Sequence, residues 1–256
     1  MNLQQPWREA RFVAVDLETT GTDTQNDRII ELGLVTFDNG EVVDRWQQLI
    51  NPTIPLPEAS SQVTGIKQED LDGQPVLADV LDELQRRLSG HVLLAYNCEF
   101  DLGVLKSEFE RHGREFPIPP CLDPLPFVFE HLRTAGLTRD AKLGTAAEYL
   151  KIPLDNAHRA DHDAEAAGRV LFELPSVTTL PDSLADLLQV QAVLLKKMND
   201  VFAQFRRRRD PGASARTSVL GSTEVVIELG AAYIYGDETD PIRALYQRVP
   251  DARDRQ

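Results

Sequence analysis

The sequence predicts an α/β domain whose mixed β-sheet is flanked by helices, followed by a C-terminal helical extension with a small β segment. Apolar runs at 12–17, 28–37 and 41–50, with the turn signal Asp38-Asn39-Gly40 between the last two, predict three antiparallel strands. Strand-like segments at 91–96 and 121–122 then alternate with helical patterns. That alternation favours parallel pairing of the later strands.

Helical spacing of apolar residues predicts helices over 76–88, 99–111, 125–133, 142–150 and 160–172. Prolines at 51–57 and 117–120 predict irregular segments between these elements. A segment of about 174 residues is long enough to bury a hydrophobic core of its own. We therefore expect one domain over 9–174.

The chain changes character after Leu174. Prolines and Ser/Thr residues over 175–183 indicate a linker, and 184–256 forms an extension whose role the sequence does not define. Apolar residues spaced by three and four predict an amphipathic helix over Leu184–Phe205, followed by the basic cluster 206–209 and strand-like residues at 224–235. The apolar side of this helix fits packing on the chain's own domain, self-association, or docking on a partner such as a polymerase subunit.

The composition is that of an ordinary globular protein, with 42% hydrophobic and 27% charged residues among 256. It excludes collagen-like, mucin-like and wholly disordered chains. We expect no membrane span, because the sequence has no apolar run of sufficient length, and no secretory signal in the polar residues 1–11. Two cysteines cannot form a disulfide framework, so we expect a cytoplasmic location.

The net charge of −14 lies entirely within residues 1–174, which hold 16 basic and 30 acidic side chains. This argues against a protein that binds phosphate backbones through a basic surface. Most of these carboxylates must be solvated. A few could instead converge on a divalent metal ion, which would cancel the local charge.

Four carboxylates are candidates for such a site. Asp16 and Glu18 end the first strand and, two residues apart, point to the same face. Asp101 lies in the first turn of the helix after the fourth strand, and Asp163 lies near the start of the last helix of the domain. Singly, each is explained as an exposed acid or a helix-start acid. Together they predict a site for two Mg²⁺ or Mn²⁺ ions of the kind that hydrolyse phosphodiesters.

Such a site needs a general base, and His158 and His162 are the candidates. His162 is next to Asp163 and so points about 100° away from it around the helix. His158 lies in the preceding loop, from which it can reach the site, and we prefer it.

Three segments resemble the motifs of the DnaQ-like 3′–5′ exonucleases, in the DEDDh subclass: Val15–Gly21, Tyr96–Asp101 and His158–Ala164. The resemblance covers 9–174. It implies a ribonuclease H-like fold and removal of nucleotides from nucleic-acid 3′ ends with two Mg²⁺ or Mn²⁺ ions. The resemblance implies that the metal ligands are Asp16, Glu18, Asp101 and Asp163 and that the general base is His158. It also implies that the residues in contact with the terminal nucleotide are Thr19, Thr20, Asn97 and Phe100.

Three departures from the family pattern leave every catalytic group in place. Tyr96 stands where the second motif commonly has His, and Thr64 stands where the intervening loop often has His. After the second motif, Asp123-Pro124-Leu125 stands where the family often has Asp-Thr-Leu. The sequences of the motifs are similar to those of the proofreading epsilon subunit of bacterial DNA polymerase III. This resemblance implies that the substrate is DNA rather than RNA. The alternatives are RNA 3′-end trimming, a subunit that is inactive without its polymerase, and a non-catalytic binding module. The presence of all five catalytic groups argues against a non-catalytic module.

Overall fold

The computed structural model describes residues 2–116, 119–154 and 159–209, with the side chains of 206–209 outside that description. His158, the side chains of the basic cluster and the predicted β segment at 224–235 therefore lie outside the described residues. In the part that is described, no helix is long and apolar enough to cross a membrane.

The sheet has five strands in the order β3-β2-β1-β4-β5. Its first three strands pair antiparallel, and β4 and β5 are added in parallel. The strands are β1 (Phe12–Thr19), β2 (Ile29–Asp38), β3 (Glu41–Leu49), β4 (Val92–Leu94) and β5 (Cys121–Leu122). The predicted mixed sheet is confirmed.

Eight α-helices surround the sheet in the described residues. They are α1 (Glu58–Thr64), α2 (Gln68–Leu71), α3 (Leu77–Leu88), α4 (Cys98–Arg111), α5 (Pro124–Val128), α6 (Leu143–Leu150), α7 (Ala160–Glu173) and α8 (Leu184–Arg209). The helix predicted over 125–133 is instead α5 followed by a π-helical turn, Phe129–Arg133. Helices α1 and α2 were not predicted, because 7 and 4 residues are too few for a helical period to show.

Strand β1 is buried on both faces and connects the two main parts of the core. Phe12 and Ala14 pack on one side, with α7 and α8. Val13 and Val15 pack on the other, with α3 and α4. Burial on both faces explains why the sequence of β1 is a continuous apolar run without alternation.

Helix α7 approaches β2 closely because two glycines leave room for it. A Cβ on Gly33 would lie 2.0 Å from the carbonyl carbon of Ala160, at the start of α7. A Cβ on Gly168 would lie 2.3 Å from the ring of Phe37. Because Gly33 is paired with Asp16 in the sheet, this close approach brings the first turn of α7 beside the end of β1.

Helix α8 packs on the same core, against α5 and the π-helical turn. Leu184, Leu187, Leu194 and Met198 are buried along one side of it. The ring centroids of Phe129 and Phe202 lie 5.3 Å apart. Packing on the chain's own domain is therefore one use of the apolar side of Leu184–Phe205, whereas the division into a domain at 9–174, a linker and an extension stays a prediction.

Candidate active site

Three of the four predicted carboxylates form one cluster. Asp16 and Glu18 project from the last part of β1, beyond the residues that pair with β4. Asp163 reaches them from the first turn of α7. Each of the three offers one oxygen atom, and these oxygens lie within 4.8 Å of one another. The cluster forms because the sheet register and the glycine at position 33 place α7 directly against β1.

Asp101 lies beside this cluster, outside the group of three. It is buried in the first turn of α4. Burial raises the pKa of Asp101 well above its usual value, and hydrogen bonds from its own backbone N–H and that of Leu17 in β1 offset part of this effect. The structure thus brings all four predicted carboxylates to one end of β1.

Burial and mutual repulsion make these carboxylates hard to ionise. Burial, followed by the charges of Asp101, Asp163 and Glu18, raises the pKa of Asp16 well above its usual value. The pKa of Glu18 rises from 4.5 to about 7, because of burial and then the charges of Asp163 and Glu31, although Arg159 lowers it. Clustered carboxylates of this kind are stabilised by a cation. Their hard oxygen donors fit Mg²⁺ or Mn²⁺.

A buried carboxylate, Glu31, ties the start of α7 to the sheet behind the cluster. It stands opposite Glu18 in the β1–β2 pairing and is fully buried. Its Oε1 accepts from Nη2 of Arg159 at 2.8 Å and from Nε2 of Gln47 at 2.6 Å. Its Oε2 accepts from the backbone N–H of Ala160 at 3.3 Å. Glu31 was not predicted as a site residue, although a single Glu inside the apolar run of β2 was a usable signal.

A second buried carboxylate, Asp123, holds the start of α4. Its side chain accepts from the backbone N–H groups of Asn97 at 3.0 Å, Cys98 at 3.1 Å and Leu125 at 2.8 Å. Burial raises the pKa of Asp123 to about 6, against the lowering effect of these hydrogen bonds. Asn97 has a left-handed backbone with φ of 71°. In this conformation the backbone N–H of Asn97 and that of Cys98 both point toward Asp123. A structural role for Asp123 was not predicted from the sequence.

The hydroxyls of Thr19 and Thr20 shape the turn after β1. Oγ1 of Thr19 donates to the carbonyl of Gly21 at 2.5 Å. Oγ1 of Thr20 donates to Asp27 at 2.7 Å and accepts from the backbone N–H of Arg28 at 3.0 Å. Nucleotide contacts by these threonines stay predictions.

The two other predicted nucleotide contacts lie at the start of α4. Asn97 is exposed at the start of that helix, and Phe100 is half-buried one turn along. Next to them, Oη of Tyr96 donates to the carbonyl of Ala141 at 2.6 Å. The tyrosine that departs from the family pattern therefore links the start of α4 to the segment before α6.

The candidate general base, His158, is outside the described residues, so its role stays a prediction. The competing candidate, His162, is described: its side chain is 39% exposed, and its Nε2 lies 4.0 Å from Asp161. Arg159, the residue after His158, donates to Glu31. The described residue nearest to His158 in sequence is thus anchored behind the carboxylate cluster.

Comparison with known proteins places this geometry in a family. The exonuclease family model, RNase_T, matches residues 13–171, well over half of the chain. DNA polymerase III PolC-type from Halalkalibacterium halodurans is 34% identical over 182 residues, which are 70% of this chain and 12% of that protein. The chain therefore spans about an eighth of the length of this relative.

Solved structures share the fold at low sequence identity. A crystal structure of E. coli exonuclease I with a dT13 oligonucleotide is 20% identical, with a TM-score of 0.57 over 64% of this chain and 40% of that one. The nuclease domain of 3′hExo, described as a DEDDh family member bound to rAMP, is 19% identical, with a TM-score of 0.54 over 66% and 92%. Taken with the family match and the carboxylate cluster, these findings show that the chain belongs to the exonuclease family, among the DnaQ-like 3′–5′ exonucleases.

Proposed function

We propose that this protein is a metal-dependent 3′–5′ exonuclease that removes nucleotides from the 3′ ends of DNA. The observation that carries the proposal is the cluster of Asp16, Glu18 and Asp163, whose oxygens lie within 4.8 Å of one another. Its position at the end of a buried strand leaves the carboxylates without the full solvation of surface acids. They are suited to hold cations against a phosphate.

Two Mg²⁺ or Mn²⁺ ions would be held by these three carboxylates together with Asp101. Asp16 would be the central member of this ligand set, because the charges of Asp101, Asp163 and Glu18 all act on its carboxyl group. Bound ions would supply a water of lowered pKa and neutralise the charge on the leaving oxygen. The chain's own contribution is to fix the four carboxylates: Gly33 and Glu31 set α7, and Asp123 sets α4.

His158 would accept the proton of the attacking water. Its place five residues before Asp163, next to the anchored Arg159, supports this role. Thr19, Thr20, Asn97 and Phe100 would contact the terminal nucleotide from the two segments that border the cluster.

The choice of DNA follows from the relative named DNA polymerase III PolC-type and from the oligonucleotide dT13 in the exonuclease I structure. RNA trimming is the alternative, since the 3′hExo domain is bound to rAMP. Because the matching part of PolC is one segment of a much longer polymerase, we also propose a polymerase as the partner, in the cytoplasm. Self-association through Leu184–Phe205 would have to use the part of α8 that is still exposed, at Phe202 and Phe205.

The test is a gel assay with single-stranded DNA and RNA of one sequence, labelled at either end, in Mg²⁺, Mn²⁺ or EDTA. The D16A variant serves as the inactive control, and E69Q, at a side chain 75% exposed, serves as the matched control. A metal-dependent ladder that recedes from the 3′ end and disappears only in D16A is expected. Intact substrates with both metals would refute an exonuclease that acts alone.

A further inference from the structure

Helix α8 inserts one buried amide at the edge of the sheet. Gln191 is 6% exposed, between the buried Leu187 and Leu194. Its Oε1 accepts from the backbone N–H of Asp123 at 2.7 Å, and its Nε2 donates to the carbonyl of Cys121 at 3.1 Å. These are the groups that a further strand would bond, because the neighbouring carbonyls of Pro120 and Leu122 bond β4. The amide therefore caps the free edge of β5.

The backbone bonded by Gln191 belongs to the residue that holds the second exonuclease motif. Asp123 donates its N–H to Gln191 and accepts, through its side chain, the N–H groups of Asn97 and Cys98. Those two residues begin α4, which carries Asp101 in its first turn. Two hydrogen-bonded steps thus join the middle of α8 to the start of α4.

The backbone at this position needs such support. Asn97 has φ of 71°, in the left-handed region that non-glycine residues adopt at a cost. Conformations of this kind persist where their surroundings fix them. The carboxylate of Asp123 holds the N–H of Asn97, and the N–H of Asp123 is in turn bonded by the side chain of Gln191.

We propose that Gln191 is a positioning residue of the active site, through which α8 sets the start of α4 and hence the placement of Asp101. Helix α8 is then part of the catalytic unit, although the family match ends at residue 171. The proposal rests on the proposed function only for the assignment of Asp101 to the metal site. A helix that served packing alone would not need a polar side chain here, since a buried amide is unfavourable unless it is paired.

The decisive variant is Gln191→Met, which keeps the length of the side chain and removes both hydrogen bonds. The matched control is Gln204→Met, the same change at an exposed position on the same helix. Amide hydrogen exchange is measured for both variants and the unaltered protein, in EDTA. Mn²⁺ affinity is measured by electron paramagnetic resonance without nucleic acid, so that neither readout depends on enzymatic activity.

We expect Q191M to speed exchange at Asn97, Cys98 and Asp123 and to weaken Mn²⁺ binding about tenfold, the low end of the effect of groups that support metal ligands. Q204M should match the unaltered protein in both measurements. Unchanged Mn²⁺ affinity in Q191M would overturn the proposal, even with faster exchange, because the amide would then serve stability alone.

A second variant covers the case in which Q191M does not fold. Asp123→Asn keeps the shape of the side chain and weakens its hold on Asn97 and Cys98, so it should lower Mn²⁺ affinity by a similar factor. Normal affinity in D123N would overturn the proposal. A protein that binds Mn²⁺ but degrades neither DNA nor RNA would refute the proposed function instead, and the Mn²⁺ affinities would still decide the role of Gln191.

Discussion

The carboxylate cluster should destabilise the metal-free protein, and the effect can be worked out at Glu18. Its pKa is about 7 in the folded state against a usual 4.5, chiefly because of burial and the charge of Asp163. The folded state therefore binds a proton that the unfolded state has released, and stability falls as pH rises from about 4.5 to about 7. At 1.36 kcal/mol per pH unit, the ionised Glu18 costs about 3 kcal/mol above that window.

Glu18→Gln removes this cost because the amide stays neutral. In EDTA, the free energy of unfolding of E18Q should exceed that of the unaltered protein by up to about 3 kcal/mol at about pH 8. The advantage should shrink toward about pH 4.5, where Glu18 is protonated in the folded protein as well. Urea unfolding followed by circular dichroism across this range measures it, with E69Q at an exposed position as the control.

Magnesium should act in the opposite direction. At a free concentration of about 100 times its dissociation constant, a bound ion stabilises the folded protein by about 2.7 kcal/mol. The unaltered protein should gain this, whereas E18Q, lacking one ligand, should gain much less. A difference between the two proteins that does not change with pH in EDTA would refute the electrostatic argument, whatever its size. Equal stabilisation of both by Mg²⁺ would remove Glu18 from the metal site.

Four further variants test the site and the packing that forms it. D16A should lose more than about 100-fold in nuclease activity. Its melting temperature in EDTA should equal or exceed that of the unaltered protein, because the substitution removes one of four mutually repelling carboxylates. A lower melting temperature would argue against the cluster. Gly33→Ala forces a Cβ to within 2.0 Å of the backbone of Ala160, so it should cost about 3 kcal/mol in urea unfolding and weaken Mn²⁺ binding. Gly168→Ala, on the same helix–sheet contact but at Phe37, should cost stability with unchanged Mn²⁺ binding. His158→Gln should lower turnover by about 10² to 10⁴ and leave Mn²⁺ affinity unaltered, as calorimetry would show.

Local patterns in the sequence were sufficient for the sheet and for the acidic cluster. The apolar runs and the Asp38-Asn39-Gly40 turn predict the strands without reference to the rest of the fold. The spacing of Asp16 and Glu18 fixes their common face, because side chains alternate along a strand. Their convergence with Asp163 follows when the last helix of the domain packs closely on the sheet, at Gly33.

The supports of the site could not be predicted in this way because their partners are distant in sequence. Glu31 bonds a residue 128 positions away, and Gln191 bonds one 68 positions away. The short helix α1 likewise depends on a distant partner, since Ser60 docks it on β1 by donating to the carbonyl of Thr19, at 2.7 Å. What the sequence offered was a single polar residue inside an apolar pattern, at Glu31 and again at Gln191. Such a residue signals a buried hydrogen-bonded contact but does not identify its partner.

A comparison of the surroundings of Glu18 and Glu31 indicates which carboxylates would be stabilised by a bound cation. They face each other across the β1–β2 pairing, and both lie near the same charges. Glu31 is fully buried, yet it is bonded by the guanidinium of Arg159, the amide of Gln47 and the N–H of Ala160. Glu18 keeps a raised pKa in spite of the charge of Arg159. Protein donors thus compensate the acid that holds α7 in place, whereas the acids of the cluster keep an electrostatic cost that a bound cation relieves.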